Sequence, residues 1–342
     1  MIRELITKIV DGTDLSELEM ETAMDEIMSG EATPAQIGSF ITALRLKGET
    51  VDEITGAAKV MRKKATRISV DPERSGDGLI VDVVGTGGDG AKTFNVSTAS
   101  AFVTSGAGIT VAKHGNRAVS SKCGAADVLE NLGVNLNIKS SDVERCVNEA
   151  GIGFLFAPAF HGAMKYAAGP RKEIGIRSVF NLLGPLTNPA GATVLLLGVY
   201  DINLTEKIAL VLNRLETREA FVVCGEGNMD EISLCGPTQI SHVRGGSVNT
   251  FEITPGEFGL KCAELKDIEG GDAAENAQII KDILDGKQGP KRDMVLINAS
   301  AAFVASGYAK DFREGVKLGE EIIDSGRAKT KLEELINFTN SI

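Results

Sequence analysis

A β-branched run that breaks into glycine constrains this 342-residue chain more than any other feature. Leu79-Ile80-Val81-Asp82-Val83-Val84 is followed at once by Gly85-Thr86-Gly87-Gly88-Asp89-Gly90. Similar runs fall at 109–112, 152–156, 193–199, 220–224, 240–243 and 248–253, most of them separated by helix-length stretches at 97–105, 125–132, 142–150 and 204–215. Strands alternating with helices predict a mostly parallel sheet covered on both faces. Arg244-Gly245-Gly246-Ser247 joins the last two runs as a hairpin, so the sheet should carry an antiparallel edge. Three helices, at 273–284, 292–306 and 312–324, are expected to close the chain.

The first seventy residues contain no strand signal. Thr33-Pro34-Ala35-Gln36 combines an N-cap, proline at the first helical position and a capping-box glutamine. Thr50-Val51-Asp52-Glu53 repeats the signature, and apolar residues follow each at helical spacing. The expected fold is therefore α/β: a small N-terminal helical domain over residues 1–70, a polar connector at 69–77, and a larger α/β domain over 71–342.

The formal charge is −11, with Lys plus Arg 36 against Asp plus Glu 47. Such a surface repels nucleic acid and anionic lipid, so neither is the expected partner. The clearest apolar run, 194–199, is far shorter than the roughly 20 residues that span a bilayer. The five cysteines form no CxxC pair and the three histidines are scattered, which argues for reduced structural thiols in a cytoplasm rather than a zinc site.

Glycine lets backbone approach a ligand, and successive free amides hold phosphate oxygens. Gly85, Gly87 and Gly90 match the dinucleotide-binding GxGxxG, but the second strand ends in Lys113 where that motif needs an acid. The P-loop pattern fails at Ala91. Taken alone, the loop is equally well explained as a strand-to-helix turn using glycine for sterics. Asn95-Val96-Ser97-Thr98 then leads into an alanine-rich helix, whose first-turn amides offer a second anion site with Ser and Thr free to cap it. Lys113-His114-Gly115-Asn116-Arg117 lies just past the second strand, and carboxyl ends of parallel strands share one rim. Lys113, Arg117 and Lys122 thus bring three cations to one crevice of an acidic protein.

GTGGDG, NVST, KHGNRAVSSKCGAADVLE, GPRKEIGIRSVFNLLGPLTNP and the later Asp230-Glu231 occur in an order and spacing that resemble the anthranilate phosphoribosyltransferases. The resemblance covers nearly the whole chain. It implies a helical domain beside an α/β domain, with helices from about 163–183 returning to the small domain. It also implies transfer of a phosphoribosyl group from 5-phosphoribosyl 1-diphosphate to the amine of anthranilate, in tryptophan biosynthesis, with two Mg²⁺ per subunit and a homodimer. An aryl amine is already neutral near physiological pH, so catalysis should be electrostatic and positional, with no assigned catalytic base.

Carried over by motif, Gly85, Gly88, Asp89, Thr93, Asn95, Val96, Ser97 and Thr98 would line the phosphoribosyl diphosphate. Lys113, His114, Gly115, Asn116, Arg117, Ala118, Val119, Ser120, Ser121 and Ala125 would wrap its phosphates. Ser97 would ligate one magnesium, Asp230 the second, and Glu231 both; on residues alone, Asp230-Glu231 reads as an acidic surface turn. Gly85, Asn116 and Arg171 would contact anthranilate. Arg171 is expected near a helix start with Pro170 at the first position, and Gly184-Pro185 should open a stiff connector. His114 and His161 either flank the aromatic amine or are satisfied structural histidines, and His242 is read as structural. Ala125 and Cys123 depart from the serines frequent in the family, which removes hydroxyls from the phosphate loop. Two other readings are weighed against this one. A pyrimidine nucleoside phosphorylase would need a different glycine-rich stretch, and a non-catalytic nucleic-acid-binding relative would need a basic face.

Overall fold

The computed structural model describes residues 1–76, 78–118 and 122–342. Val119, Ser120 and Ser121, expected at the phosphates, lie outside the described residues.

The bundle opens with helices Ile2–Val10, Glu17–Ser29, Pro34–Lys47 and Val51–Lys64. Ser16, Thr33 and Thr50 each complete a capping box, so donors left over by the first turn are satisfied locally. Glu53 extends its box into a hub. One carboxylate oxygen accepts from the Thr50 amide (2.8 Å) and pairs with Lys47 Nζ (3.0 Å); the other accepts from the Leu15 amide (2.9 Å). Gly56 lets two helices close: a Cβ there would lie 2.5 Å from the Glu17 carbonyl oxygen.

The sheet has strands β1 (Val81–Gly85), β2 (Val111–Gly115), β3 (Ile152–Phe156), β4 (Val194–Gly198), β5 (Glu219–Gly225), β6 (Thr238–Arg244) and β7 (Ser247–Ile253). Their order is β3-β2-β1-β4-β5-β6-β7, parallel through β5 and antiparallel beyond it, as expected. Gly245 and Gly246 take φ of 57° and 79°, the left-handed pair that a two-residue hairpin needs. Along β4 the core alternates. Val194 and Leu196 pack with Phe102 and Ile297 on one face, while Leu195, Leu197 and Val199 pack with the bundle residues Phe40 and Ile54 on the other. The bundle therefore docks directly on the sheet.

Helices Lys165–Ile174 and Val179–Leu186 pack against the bundle helices. Ala167, Phe180 and Leu183 share the bundle's core. Three expectations need correction. Pro170 is not at a helix start but sixth in Lys165–Ile174, which a 3₁₀ turn at Gly162–Met164 launches earlier than the sequence suggests. Pro185 does not open a connector; it lies inside Val179–Leu186. A proline forfeits one helical hydrogen bond, and both rings are buried, so packing offsets that loss. Four helices close the chain, not three. The fourth, Arg327–Asn340, buries Ala328, Leu332 and Leu335, a helical spacing that the sequence carries in plain form.

Removing the Glu53 carboxylate takes one of two acid partners from the buried Lys47 ammonium, leaving it Asp14 at 2.6 Å, and strands two backbone amides. Glu53→Ala should therefore cost about 3 kcal/mol or more in urea unfolding; a change under about 1 kcal/mol would show that the hub is dispensable.

Candidate functional site

β1 lies between β2 and β4, and its chain leaves toward β2 while β4 continues toward β5. That is a topological switch point, where parallel α/β sheets open a crevice at the strands' carboxyl ends. Three glycines line it. Gly85 ends β1, Gly198 is its partner across the ladder at the end of β4, and Gly225 ends β5. A Cβ at Gly198 would overlap the Asp230 carbonyl, and one at Gly85 would overlap the Asp230 carboxylate. The acidic segment can sit on this rim only because both positions lack side chains.

Seated there, the acids are bonded to both candidate anion sites. Asp230 Oδ2 accepts from the Gly87 amide at 2.7 Å, and the Asp230 amide donates to Asp89 Oδ2 at 3.3 Å. Glu231 Oε1 accepts from the Ser97 amide at 3.2 Å, in the first turn of helix Val96–Gly106, whose dipole favours negative charge. Lys113 Nζ reaches up from β2 to donate to the Val83 carbonyl (2.6 Å) and Ser97 Oγ (3.2 Å). Gly87, Gly88 and Gly90 take φ of 70°, 71° and 81°, so the loop demands glycine for its path as well as for close approach.

The electrostatics are strained in one direction. Desolvation, then the neighbouring Asp89 carboxylate, pushes Asp230 up to about 7. Burial followed by the charge of Asp230 lifts Glu231 well above the ordinary carboxylate range. Burial holds Lys113 below its usual value, with Asp82, Glu231 and Asp230 pulling the other way. Three acids against one buried ammonium make a site that favours a cation. Among the described residues no three His, Cys, Asp or Glu side chains converge as a ready-made metal group. A hard-oxygen set of two carboxylates and a hydroxyl fits Mg²⁺, which takes few protein ligands and completes its shell with water and substrate phosphates.

The other expected residues divide. Thr93 pairs with Glu269 in an isolated antiparallel bridge, and Val96 is buried in the core with its amide donating to the Phe94 carbonyl at 2.7 Å. Neither Ser97 nor Thr98 caps the helix, contrary to expectation. Asn95 is the cap residue, but its Oδ1 accepts from Cys123 Sγ (3.2 Å), and Thr98 Oγ1 is buried with no partner. Arg117 does not bring its charge to the crevice: its guanidinium pairs with Asp127 (3.1 Å) and Glu130 (2.5 Å). Lys122 is exposed. Asp127 also accepts from the Ala118 and Gly124 amides at 2.9 Å each, pinning both ends of the loop ahead of Ala125. Asn116 faces solvent, with its Oδ1 accepting from the Arg117 amide at 2.8 Å. Gly115 leaves room for the Phe154 ring.

His114 and His161 are buried with ring centroids 5.1 Å apart; His114 Nδ1 meets the Gly184 carbonyl at 3.1 Å, and the Nε2 of each lacks a partner. His242 is tied to Glu219 (2.9 Å) and packed on Phe221, which fits its structural reading. Arg171, half-buried, stacks over Phe180 at 5.0 Å and forms no ion pair with Glu173 or any other acid among the described residues.

Sequence reasoning missed two groups. Arg177 stacks on Tyr200 at 4.1 Å and donates to the Gly88 carbonyl, tying the returning segment to the glycine loop. Asp82, buried mid-strand in β1, accepts from the His114 amide (3.2 Å) and from Asn188 Nδ2 (2.7 Å), while Asn188 also donates to the Ala112 carbonyl (2.7 Å). The signal for it was legible, since an acid inside an apolar strand buried on both faces requires partners.

A helical bundle docked on an α/β sheet, with a glycine loop and an acid pair at the switch point, defines a glycosyltransferase architecture. Residues 3–65 match the glycosyl transferase family's helical bundle domain and residues 77–329 its a/b domain. An anthranilate phosphoribosyltransferase of Geobacter sulfurreducens is 57% identical, with 99% of this chain and 100% of that protein covered. That of Moorella thermoacetica is 53% identical, with 100% and 99% covered. Among solved structures, the Thermus thermophilus enzyme superposes with a TM-score of 0.91 at 41% identity, covering 98% of this chain and 99% of that one. The Saccharomyces cerevisiae enzyme, in complex with PRPP and Mg, gives 0.91 at 32% identity, covering 100% and 98%. The same yeast enzyme has been solved with 4-fluoroanthranilate. The chain belongs to the anthranilate phosphoribosyltransferase family.

Burial, and for His114 also the neighbouring His161, depresses the imidazoles to about 3 and about 4. A histidine kept neutral by folding binds its proton preferentially when unfolded. Its contribution to stability is thus complete above about 6.5 and lost as pH falls through that value toward the folded-state ones. NMR titration of the imidazole signals should show both rings still neutral at pH 5. A midpoint near 6.5 for either would contradict their burial.

Proposed function

We infer that the protein transfers the phosphoribosyl group of 5-phosphoribosyl 1-diphosphate to the amine of anthranilate, giving N-(5-phosphoribosyl)anthranilate and diphosphate. The observation that carries this reading is the seating of Asp230 and Glu231 against the Gly87 amide and the Ser97 helix start. One short segment thereby joins a cation-seeking acid pair to two sets of anion-binding amides.

The roles follow from that seating. Diphosphate charge is met by amides of the glycine loop, by the first turn at Asn95–Thr98, and by Lys113 and the main chain of 114–121. Ser97, Asp230 and Glu231 would hold two Mg²⁺ ions, which would supply charge neutralisation at the leaving diphosphate. Lys113 steadies Ser97 from below through its bond to Oγ. Gly85, Asn116, His114 and His161 shape the anthranilate end, where two neutral buried imidazoles do not repel an amine nucleophile. Arg171 receives the carboxylate: a guanidinium already laid on Phe180 and lacking an acid partner is a free planar fork for it. Attack needs no strong base because the amine is neutral beforehand.

The shared core of Ala167, Phe180 and Ile54 supports a small domain of residues 1–70 joined by 163–183. A homodimer through the bundle fits its exposed Leu18 and Leu46. No helix among the described residues is long and apolar enough to cross a membrane, and a biosynthetic reaction on charged small molecules fits a cytoplasmic protein.

Fluorimetry of anthranilate with the protein, Mg²⁺ and phosphoribosyl diphosphate tests the activity directly; no donor-dependent loss of anthranilate signal would refute it. Glu231→Gln should lower turnover more than Ser97→Ala, since it removes a full charge rather than a neutral hydroxyl, and excess Mg²⁺ should partly rescue Asp230→Asn. Mg²⁺ titrations identical to the unmutated protein's would remove these residues from the metal site. Arg171→Ala should raise KM for anthranilate by about tenfold or more while KM for the donor moves much less, the scale of a lost charge-assisted bond. Equal effects on both substrates would count against the assignment.

A further inference from the structure

The acid pair is held at a point on each side. Upstream, Gly225 and Met229 exchange main-chain hydrogen bonds of 2.8 and 3.2 Å in an isolated bridge. Downstream, the first hold is a side chain distant in sequence. Asn298, fully buried in helix Pro290–Ala305, accepts from the Ile232 amide at 2.9 Å and donates to the Ile232 carbonyl at 3.0 Å. A third bond, to the Met294 carbonyl of its own helix at 2.9 Å, fixes the amide plane.

An asparagine amide pairs with both backbone groups of one residue as a neighbouring strand would, and in a buried site each such bond is costly to lose. Its helix is rigid, with Met294, Val295, Ile297 and Ala301 buried in the core. Ser233 is held as well, its amide donating to Thr238 Oγ1 at 2.9 Å. Between the Gly225–Met229 bridge and the Ile232 clamp, the main chain of Asp230 and Glu231 spans two fixed points. Their carboxylates are left little freedom beyond side-chain torsion.

We propose that Asn298 is a positioning residue: acting through Ile232, it fixes the backbone of Glu231 and Asp230 so that both carboxylates are presented to the metal and diphosphate. This rests on the reading of that pair as metal ligands. Divalent metal chemistry tolerates displacements of only a few tenths of an ångström. A clamp one residue from Glu231 therefore acts on metal affinity before it acts on anthranilate.

The test is Mn²⁺ binding, followed by electron paramagnetic resonance with phosphoribosyl diphosphate present, on the unmutated protein, Asn298→Ala and Asn298→Gln. Asn298→Ala should weaken Mn²⁺ binding by about tenfold, the equivalent of one lost buried hydrogen bond, with KM for anthranilate within about twofold. Asn298→Gln, which keeps both donor and acceptor, should lose less. Variants that melt earlier yet bind Mn²⁺ as the unmutated protein does would make Asn298 structural only and overturn the proposal. Failure of the unmutated protein to bind Mn²⁺ would overturn the ligand reading and the proposal with it. Should neither variant fold, hydrogen exchange on the unmutated protein decides: protection of the Ile232 amide should rise by about tenfold on adding donor and Mg²⁺, and unchanged protection would overturn the clamp.

Discussion

Close approach of the Asp230 backbone to two glycine-terminated strands is the constraint on which the crevice depends. Gly85 and Gly198 face each other across the β1–β4 ladder, and any side chain at Gly198 would occupy the space of the Asp230 carbonyl. With that contact in place, one short segment bonds to the glycine loop through Asp230 and to a helix start through Glu231. Two anion-binding surfaces from different parts of the chain thus share one pair of acids. The arrangement costs electrostatic stability, since burial and a neighbouring acid, Asp89 for Asp230 and Asp230 for Glu231, lift both carboxylates. Such a cost is what a divalent cation would relieve, and perturbed acids of this kind cluster at functional sites.

The bundle serves the crevice by where it docks. Leu195 and Leu197 of β4, with Val199 just past it, share a core with Phe40 and Ile54, and the turn between the two returning helices brings Arg177 to the glycine loop from the bundle side. Arg177 touches the glycine loop itself, while Asn188 ties the end of the same segment to Asp82 beneath it. The glycine loop, the returning segment and β1 are therefore mechanically continuous through short polar links.

Much was legible in the sequence because it depends on local chemistry. The capping boxes at Thr33 and Thr50 form as spelled, the seven strands lie where β-branched runs occur, and the Gly245-Gly246 hairpin makes the antiparallel edge. Two prolines misled because burial outweighed their cost to a helix, which no local rule can weigh. Arg117 looked like a crevice cation but found Glu130 one helix away, and Asn95 gave its side chain to Cys123 instead of the helix end.

What the sequence determined alone is the list of elements, their alternation, and the motifs that mark the candidate site: the glycine loop, the paired acids and the arginines of the returning segment. What only the tertiary structure decided is which of those groups meet. Asn298 reaches Ile232 across 66 residues, Asn188 reaches Asp82 across 106, and Asp230 reaches Gly87 across 143. Periodicity and capping act over a few residues, whereas contacts of that separation are fixed only when the sheet order and the helix packing above it are set.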